Sequence, residues 1–168
     1  VFGSVSGVSG NLDLSTLNGF NGFRITTSDP GLLTSLYLGL GTGDLNADGY
    51  ADILVSSTYT TTTSLLNSGV TNVIYGHGGA YGSVLVVDHI SAFQGIRIEG
   101  NQVGQLSGDG VSWAGDLNGD GLDDFSVAAP LEDTSLLNGG ARHIIYGMDF
   151  TSTIEFFGSD AGDGLAGS

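Results

Sequence analysis

Two loops in this chain place oxygen-bearing side chains on alternate residues. In GDLNADGYAD they are Asp44, Asn46, Asp48 and Asp52; in GDLNGDGLDD they are Asp116, Asn118, Asp120 and Asp124. Counted from the first acid, the oxygens stand at positions one, three, five and nine, with Gly49 or Gly121 at six. Calcium takes about 6 to 8 hard oxygen ligands at about 2.3–2.6 Å. Alternation along a tight loop turns such oxygens toward one centre, and the glycine permits the bend. Position seven can offer its backbone carbonyl, which leaves its side chain free to be apolar, as Tyr50 and Leu122 are. Three carboxylates crowded into one loop repel one another until a cation neutralises them. Magnesium, with its stricter octahedral geometry, suits the loop less well.

The loop opens like an EF-hand but does not close like one. An EF-hand ends on a bidentate Glu at position twelve, where this chain has Val55 and Val127. The plainer alternative is a pair of Asx-rich turns, in which side chains bond to the backbone. Two full matches at one repeat phase argue against accident.

Little else in the chain points to chemistry. His77, His89 and His143 lie in non-equivalent places and read as surface or packing residues. The glutamates Glu99, Glu132 and Glu155 show no spacing that suggests a catalytic pair. Arg24 and Arg97 are repeat-equivalent, which predicts a structural task, a salt bridge or a carbonyl clamp between blades. Trp113 is expected to pack in the core, Asp123 to face solvent, and TYTTTT (58–63) to form a solvated insertion.

The elements that must hold the loops come in repeats. FNGFRI (20–25) returns as FQGIRI (93–98), TSLLNSG from Thr63 as TSLLNGG from Thr134, and NVIYG (72–76) as HIIYG (143–147). Offsets run from 71 to 73 residues. Within each unit, short runs rich in β-branched and aromatic residues are bounded by Gly, Asp or Asn, which predicts strands. They are LYLGLG, DILVSS, VTNVIYG and GIRIEG, then VSWAG, DFSVAA, ARHIIYG and STIEFFG. No window keeps an apolar period of 3.6. Four strands per evenly recurring unit predict an all-β fold, a β-propeller built of four-stranded antiparallel blades. Residues 1–34 would end one blade, 35–100 and 101–157 would each form a complete blade with its loop, and 158–168 would begin another. A propeller closes with about 4 to 8 blades, so further blades are expected from a longer parent chain or from other copies.

At this point a resemblance emerges. The pattern is similar to the FG-GAP repeats of integrin α-subunit propellers and of many secreted bacterial proteins. Phe2-Gly3 matches the Phe-Gly of that repeat, and Tyr75-Gly76 and Tyr146-Gly147 stand in its place. Ala128-Ala129-Pro130 occupies the Gly-Ala-Pro position, whereas Ser56-Ser57-Thr58 departs from it. The resemblance implies loops that join the first two strands of a blade, bind calcium and brace the propeller. It implies two Ca²⁺ sites, the first formed by Asp44, Asn46, Asp48, Tyr50 (carbonyl) and Asp52. The second would be Asp116, Asn118, Asp120, Leu122 (carbonyl) and Asp124.

Composition narrows the partners. Three arginines and no lysine face 18 acids, a net charge of −15. Such a surface repels nucleic acid and anionic lipid, and no apolar run approaches the roughly 20 residues of a membrane span. Charged residues are 12 % and hydrophobic ones 40 %, which favours a folded chain over an acidic tail. The absence of cysteine excludes disulfides and thiolate metal sites. The expected function is therefore a non-enzymatic, calcium-braced module, secreted or at the cell surface. It would serve adhesion, surface structure or display toward a protein or glycan ligand. The alternatives are a segment of a secreted polysaccharide-degrading enzyme, or a calcium-dependent lectin using aromatics such as Tyr37, Tyr50 or Tyr81.

Overall fold

The computed structural model describes residues 11–28, 36–38, 42–62, 65–134 and 137–148. Its strands are β1 (Arg24–Thr26), β2 (Leu36–Leu38), β3 (Ile53–Ser57), β4 (Val70–Ile74) and β5 (Val84–Val86). They continue with β6 (Gly95–Glu99), β7 (Gly110–Gly115), β8 (Asp124–Ala129) and β9 (Ala141–Ile145). Among the described residues the only helical turns are single 3₁₀ turns, Leu14–Thr16 and Val87–His89. None is long and apolar enough to cross a membrane.

The repeats fold into small antiparallel sheets, as propeller blades do. The first has the order β2-β3-β4-β6, with Val55 opposite Asn72 and Asn72 opposite Arg97. The second has the order β7-β8-β9, with Val127 opposite His143. Its expected fourth strand, STIEFFG, lies outside the described residues, as do Phe2-Gly3 and the tail from 158.

One pairing departs from the antiparallel expectation. β1 pairs in parallel with β5, Ile25 opposite Leu85. β5 belongs to the stretch 77–92, which the second repeat lacks. The run SVLVV supplies β-branched residues suited to a pleated edge, and β1 takes that edge although its sequence matches β6.

Strand alternation explains the packing. Leu54 and Val73 point into a cluster with Leu45, Tyr75, Val111, Phe125 and Val127, which joins the two antiparallel sheets. Their neighbours Val55 and Ile74 point the other way, onto Val87, Tyr81 and Leu85 of the added segment and Ile25 of β1. The first sheet is thus apolar on both faces. The second is apolar on one face, while Ser112 and Ser126 bond to each other at 3.1 Å on the other and Arg142 donates to Ser126 at 2.9 Å. Trp113 meets Phe125 edge-on at 5.7 Å between ring centres and packs in the core as expected. It also requires Gly43, since a Cβ there would lie 2.2 Å from the indole.

Two expectations need correction here. TYTTTT is not a solvated insertion over its described part: Thr58, Thr60 and Thr62 are buried while Tyr59 and Thr61 are exposed. The chain keeps its two-residue alternation past the end of β3, and Thr62 is tied to Ser68 through their hydroxyls at 2.8 Å. Arg97 does form a salt bridge through its Nε, but within one strand and not between blades. That group pairs with Glu99 on the same strand at 2.7 Å.

Candidate metal centres

Each loop is closed at its base by a short antiparallel bridge. Asp52 N–H donates to the Gly43 carbonyl at 2.7 Å, and Gly115 pairs with Asp124 beyond a bulge after Trp113. Within the first loop, Asp44 accepts from Asp48 N–H at 3.1 Å and Gly49 N–H at 2.8 Å. Asn46 Oδ1 accepts from Asp48 N–H at 3.2 Å, and Asp48 Oδ1 from Tyr50 N–H at 2.8 Å. The second loop repeats the scheme. Asp116 accepts from Asp120 and Gly121 at 3.1 and 2.8 Å, Asn118 from Asp120 at 3.1 Å, and Asp120 from Leu122 at 2.9 Å. The amide groups of Asn46 and Asn118 donate to Asp48 and Asp120 at 3.0 and 2.8 Å. Gly49 and Gly121, with φ of 84° and 90°, make the turn where a side chain would be strained.

The acid at position nine does something different. Asp52 is 3 % exposed and Asp124 0 %. Asp52 accepts from Leu45 N–H and Gly76 N–H, both at 2.8 Å. Asp124 accepts from Leu117 N–H at 2.7 Å and Gly147 N–H at 2.9 Å. Each carboxylate therefore ties the start of its loop to the Tyr-Gly that follows the third strand of its unit. Burial, aided by the charges of Asp48 and Asp44, pushes the Asp52 carboxyl up to about 6, against the opposing pull of the Gly76 and Leu45 N–H groups. The glycine of Tyr-Gly is also explained. A Cβ at Gly76 would come 2.5 Å from the Ala51 carbonyl oxygen and 2.6 Å from Tyr50 Cβ, and one at Gly147 would come 2.4 Å from Leu122 Cβ.

The aspartate-rich loop, the buried ninth acid and the glycine beneath position seven thus form one unit, present twice. The FG-GAP repeat family matches the chain at residues 38–75 and 107–146. The chain carries two FG-GAP repeats. No curated protein matches it. Both FG-GAP matches span a loop and the Tyr of the Tyr-Gly that its ninth acid reaches.

The donor chemistry of the FG-GAP loops suits a hard divalent cation: carboxylates at positions one, five and nine, an amide at three and a backbone carbonyl at seven in each, with no cationic side chain between Gly43 and Asp52 or Gly115 and Asp124. Their carboxylates are spread over the loop's own N–H groups. Among the described residues no three acidic or histidine side chains form a ready metal-holding group. A carboxylate oxygen that accepts one N–H keeps a second lone pair. Asp116 Oδ1, which accepts from both Gly119 and Asp120 N–H, is the exception, and its Oδ2 takes one.

Asp123 is corrected from solvent-facing to bridging. Its Oδ2 accepts from Asp44 N–H at 3.0 Å, and its own N–H donates to the Asp44 carbonyl at 3.3 Å. The end of the second unit adds Met148 N–H to the Leu45 carbonyl at 3.0 Å. The sequence did carry a signal: position eight is Ala51 in the first loop and Asp123 in the second, the one place where the second gains a charge. Of the histidines, His143 pairs with Glu132 at 2.6 Å, and His77 lies against Tyr81 with ring centres 4.0 Å apart.

Proposed function

We propose that this FG-GAP protein is a calcium-braced, non-enzymatic propeller module that works outside the cell in adhesion, surface structure or ligand display. The observation that supports it is the hydrogen-bond scheme shared by the two loops. Two stretches 72 residues apart place carboxylates at positions one, five and nine, and each is anchored through its ninth acid to the strands beneath. Asp44, Asn46, Asp48, the Tyr50 carbonyl and Asp52 would hold one ion; Asp116, Asn118, Asp120, the Leu122 carbonyl and Asp124 would hold the other. The ion supplies positive charge that offsets the mutual repulsion of the carboxylates. Extracellular calcium modules bind at roughly 10⁻⁴–10⁻³ M, a concentration met outside cells and not in the cytosol. The partner would be a protein or glycan ligand, with further blades flanking these two.

Thermal melting in calcium and in excess chelator tests the reading. Saturation at about 100 times Kd is worth roughly 2.7 kcal/mol, or about 5–10 °C for a chain of this size. Asp48→Ala and Asp120→Ala should each remove part of that gain. Identical melting curves, with no heat of calcium binding by calorimetry, reject the calcium role. A glycan array then separates sugar display from a protein partner.

A further inference from the structure

The two loops differ at position four, where the first has Ala47 and the second Gly119. Each follows an asparagine. We propose that Asn118–Gly119 is a self-modification site, at which the second loop deamidates when it opens and is protected while it is closed. The reaction needs the backbone nitrogen after an asparagine to reach the side-chain carbon. Gly119 presents that nitrogen without a Cβ beside it, whereas the methyl of Ala47 hinders the equivalent approach.

The chemistry needs only water. Gly119 N attacks Asn118 Cγ and the new N–Cγ bond closes a five-membered imide. The Cγ–Nδ2 bond breaks, and Nδ2 leaves as ammonia with the proton that Gly119 N gives up. Water then opens the imide at either carbonyl. One product is aspartate, a fifth carboxylate beside Asp116, Asp120, Asp123 and Asp124. The other is isoaspartate, which inserts a methylene into the backbone and breaks the alternate spacing of the oxygens.

Closure opposes each part of this. Gly119 N–H, the nucleophile, is held by Asp116 Oδ1 at 2.7 Å. The Asn118 side chain is held from both ends by Asp120, its oxygen accepting from the backbone N–H at 3.1 Å and its amide donating to the carboxylate at 2.8 Å. Asn118 and Gly119 are both exposed, so hydrogen bonding and not burial is the guard. The proposal does not depend on calcium, although an ion that stiffened the loop would strengthen the guard.

Peptide mapping by mass spectrometry, with separation of aspartate from isoaspartate, reads the outcome. The whole chain is held at mildly alkaline pH, native and in guanidinium. Breaking charge-assisted bonds should make Asn118 react roughly tenfold faster in the unfolded chain, with Asn46 slow in both. Equal rates at Asn118 in the two states, or a rate at Asn118 no greater than at Asn46 in guanidinium, overturn the proposal. Asp116→Ala supplies the second arm. A rise at Asn118 while Asn138–Gly139 stays unchanged supports a local guard, and a rise at both sites or at neither overturns it.

Discussion

The FG-GAP loops share one internal geometry and differ in what lies outside it. Their aspartates take equivalent backbone partners, except that Asp116 also accepts from Gly119 N–H, and their ninth acids reach the same Tyr-Gly. Yet Leu45 at position two of the first loop is 0 % exposed, and its counterpart Leu117 is 56 % exposed. Leu45 enters the cluster with Phe125 and Val127, where the second sheet receives it. Asp123 and Met148 close over the same loop with hydrogen bonds. A loop of this kind is thus shaped by its own N–H groups, and for the first loop the neighbouring sheet adds packing and hydrogen bonds to that. Leu117 presents an apolar side chain suited to the same kind of seat.

The largest expected consequence is a difference between two identical substitutions. Leu45→Ala should cost about 2–5 kcal/mol, because it opens a cavity in a packed cluster. Leu117→Ala should fall within about 0.5 kcal/mol of wild type, as exposed substitutions do. Denaturant unfolding of both variants measures this, and equal losses would remove the asymmetry.

Asp52→Ala and Asp124→Ala probe what the loops share. Each strands two backbone N–H groups and should cost about 3 kcal/mol. Performed in chelator, the measurement isolates the hydrogen bonds from any ion. If either loss vanishes in chelator, that acid acts through metal and not through the strands beneath it.

Asp123→Ala returns to the difference. It strips Asp44 N–H of its carboxylate partner in a half-buried place, for an expected cost of about 1–2 kcal/mol. The mirror change, Ala51→Asp, should gain nothing comparable, since position 51 is exposed. Hydrogen exchange at Asp44 N–H reads the coupling directly. Unchanged exchange in the Asp123 variant would mean that the two loops do not communicate.

Much of this arrangement was legible because it is periodic. The loops, the strands and the Tyr-Gly pairs recur at one spacing, and recurrence turns weak local signals into a strong one. Leu54 and Val55 show the limit. Their alternation predicts a strand, but that both faces are buried depends on β5 and the Val87 turn, which come from a stretch without a repeat partner. SVLVV reads as strand-forming without indicating a parallel partner in β1. Asp123 departs from the solvent-facing expectation for a related reason. An acid beside a turn is ordinarily solvated, and only the approach of the first loop gives its carboxylate an N–H to accept. Thr58, Thr60 and Thr62 look like a polar loop by composition, whereas alternation carries every second one inside.

The smallest expected effect isolates position four. Ala47 holds φ of 57° and Gly119 holds 81°, so both loops turn left-handed there. A residue with a Cβ meets a penalty of about 1–2 kcal/mol in that region, and glycine does not. Gly119→Ala should therefore destabilise the second loop by about 1 kcal/mol. Ala47→Gly relieves the first, but glycine also widens the freedom of the unfolded chain by about 0.4–1 kcal/mol, which offsets much of the gain. The net benefit should be a few tenths of a kcal/mol. Because no atom lies within 4 Å of a Cβ placed on Gly119, any loss in Gly119→Ala comes from the backbone alone. Unfolding of the two variants in chelator measures the pair. A loss at Gly119 without any gain at Ala47 means that the first loop, pressed between two sheets, already has its left-handed turn enforced from outside. Equal and opposite changes mean that the sheets leave the turn to the residue that makes it.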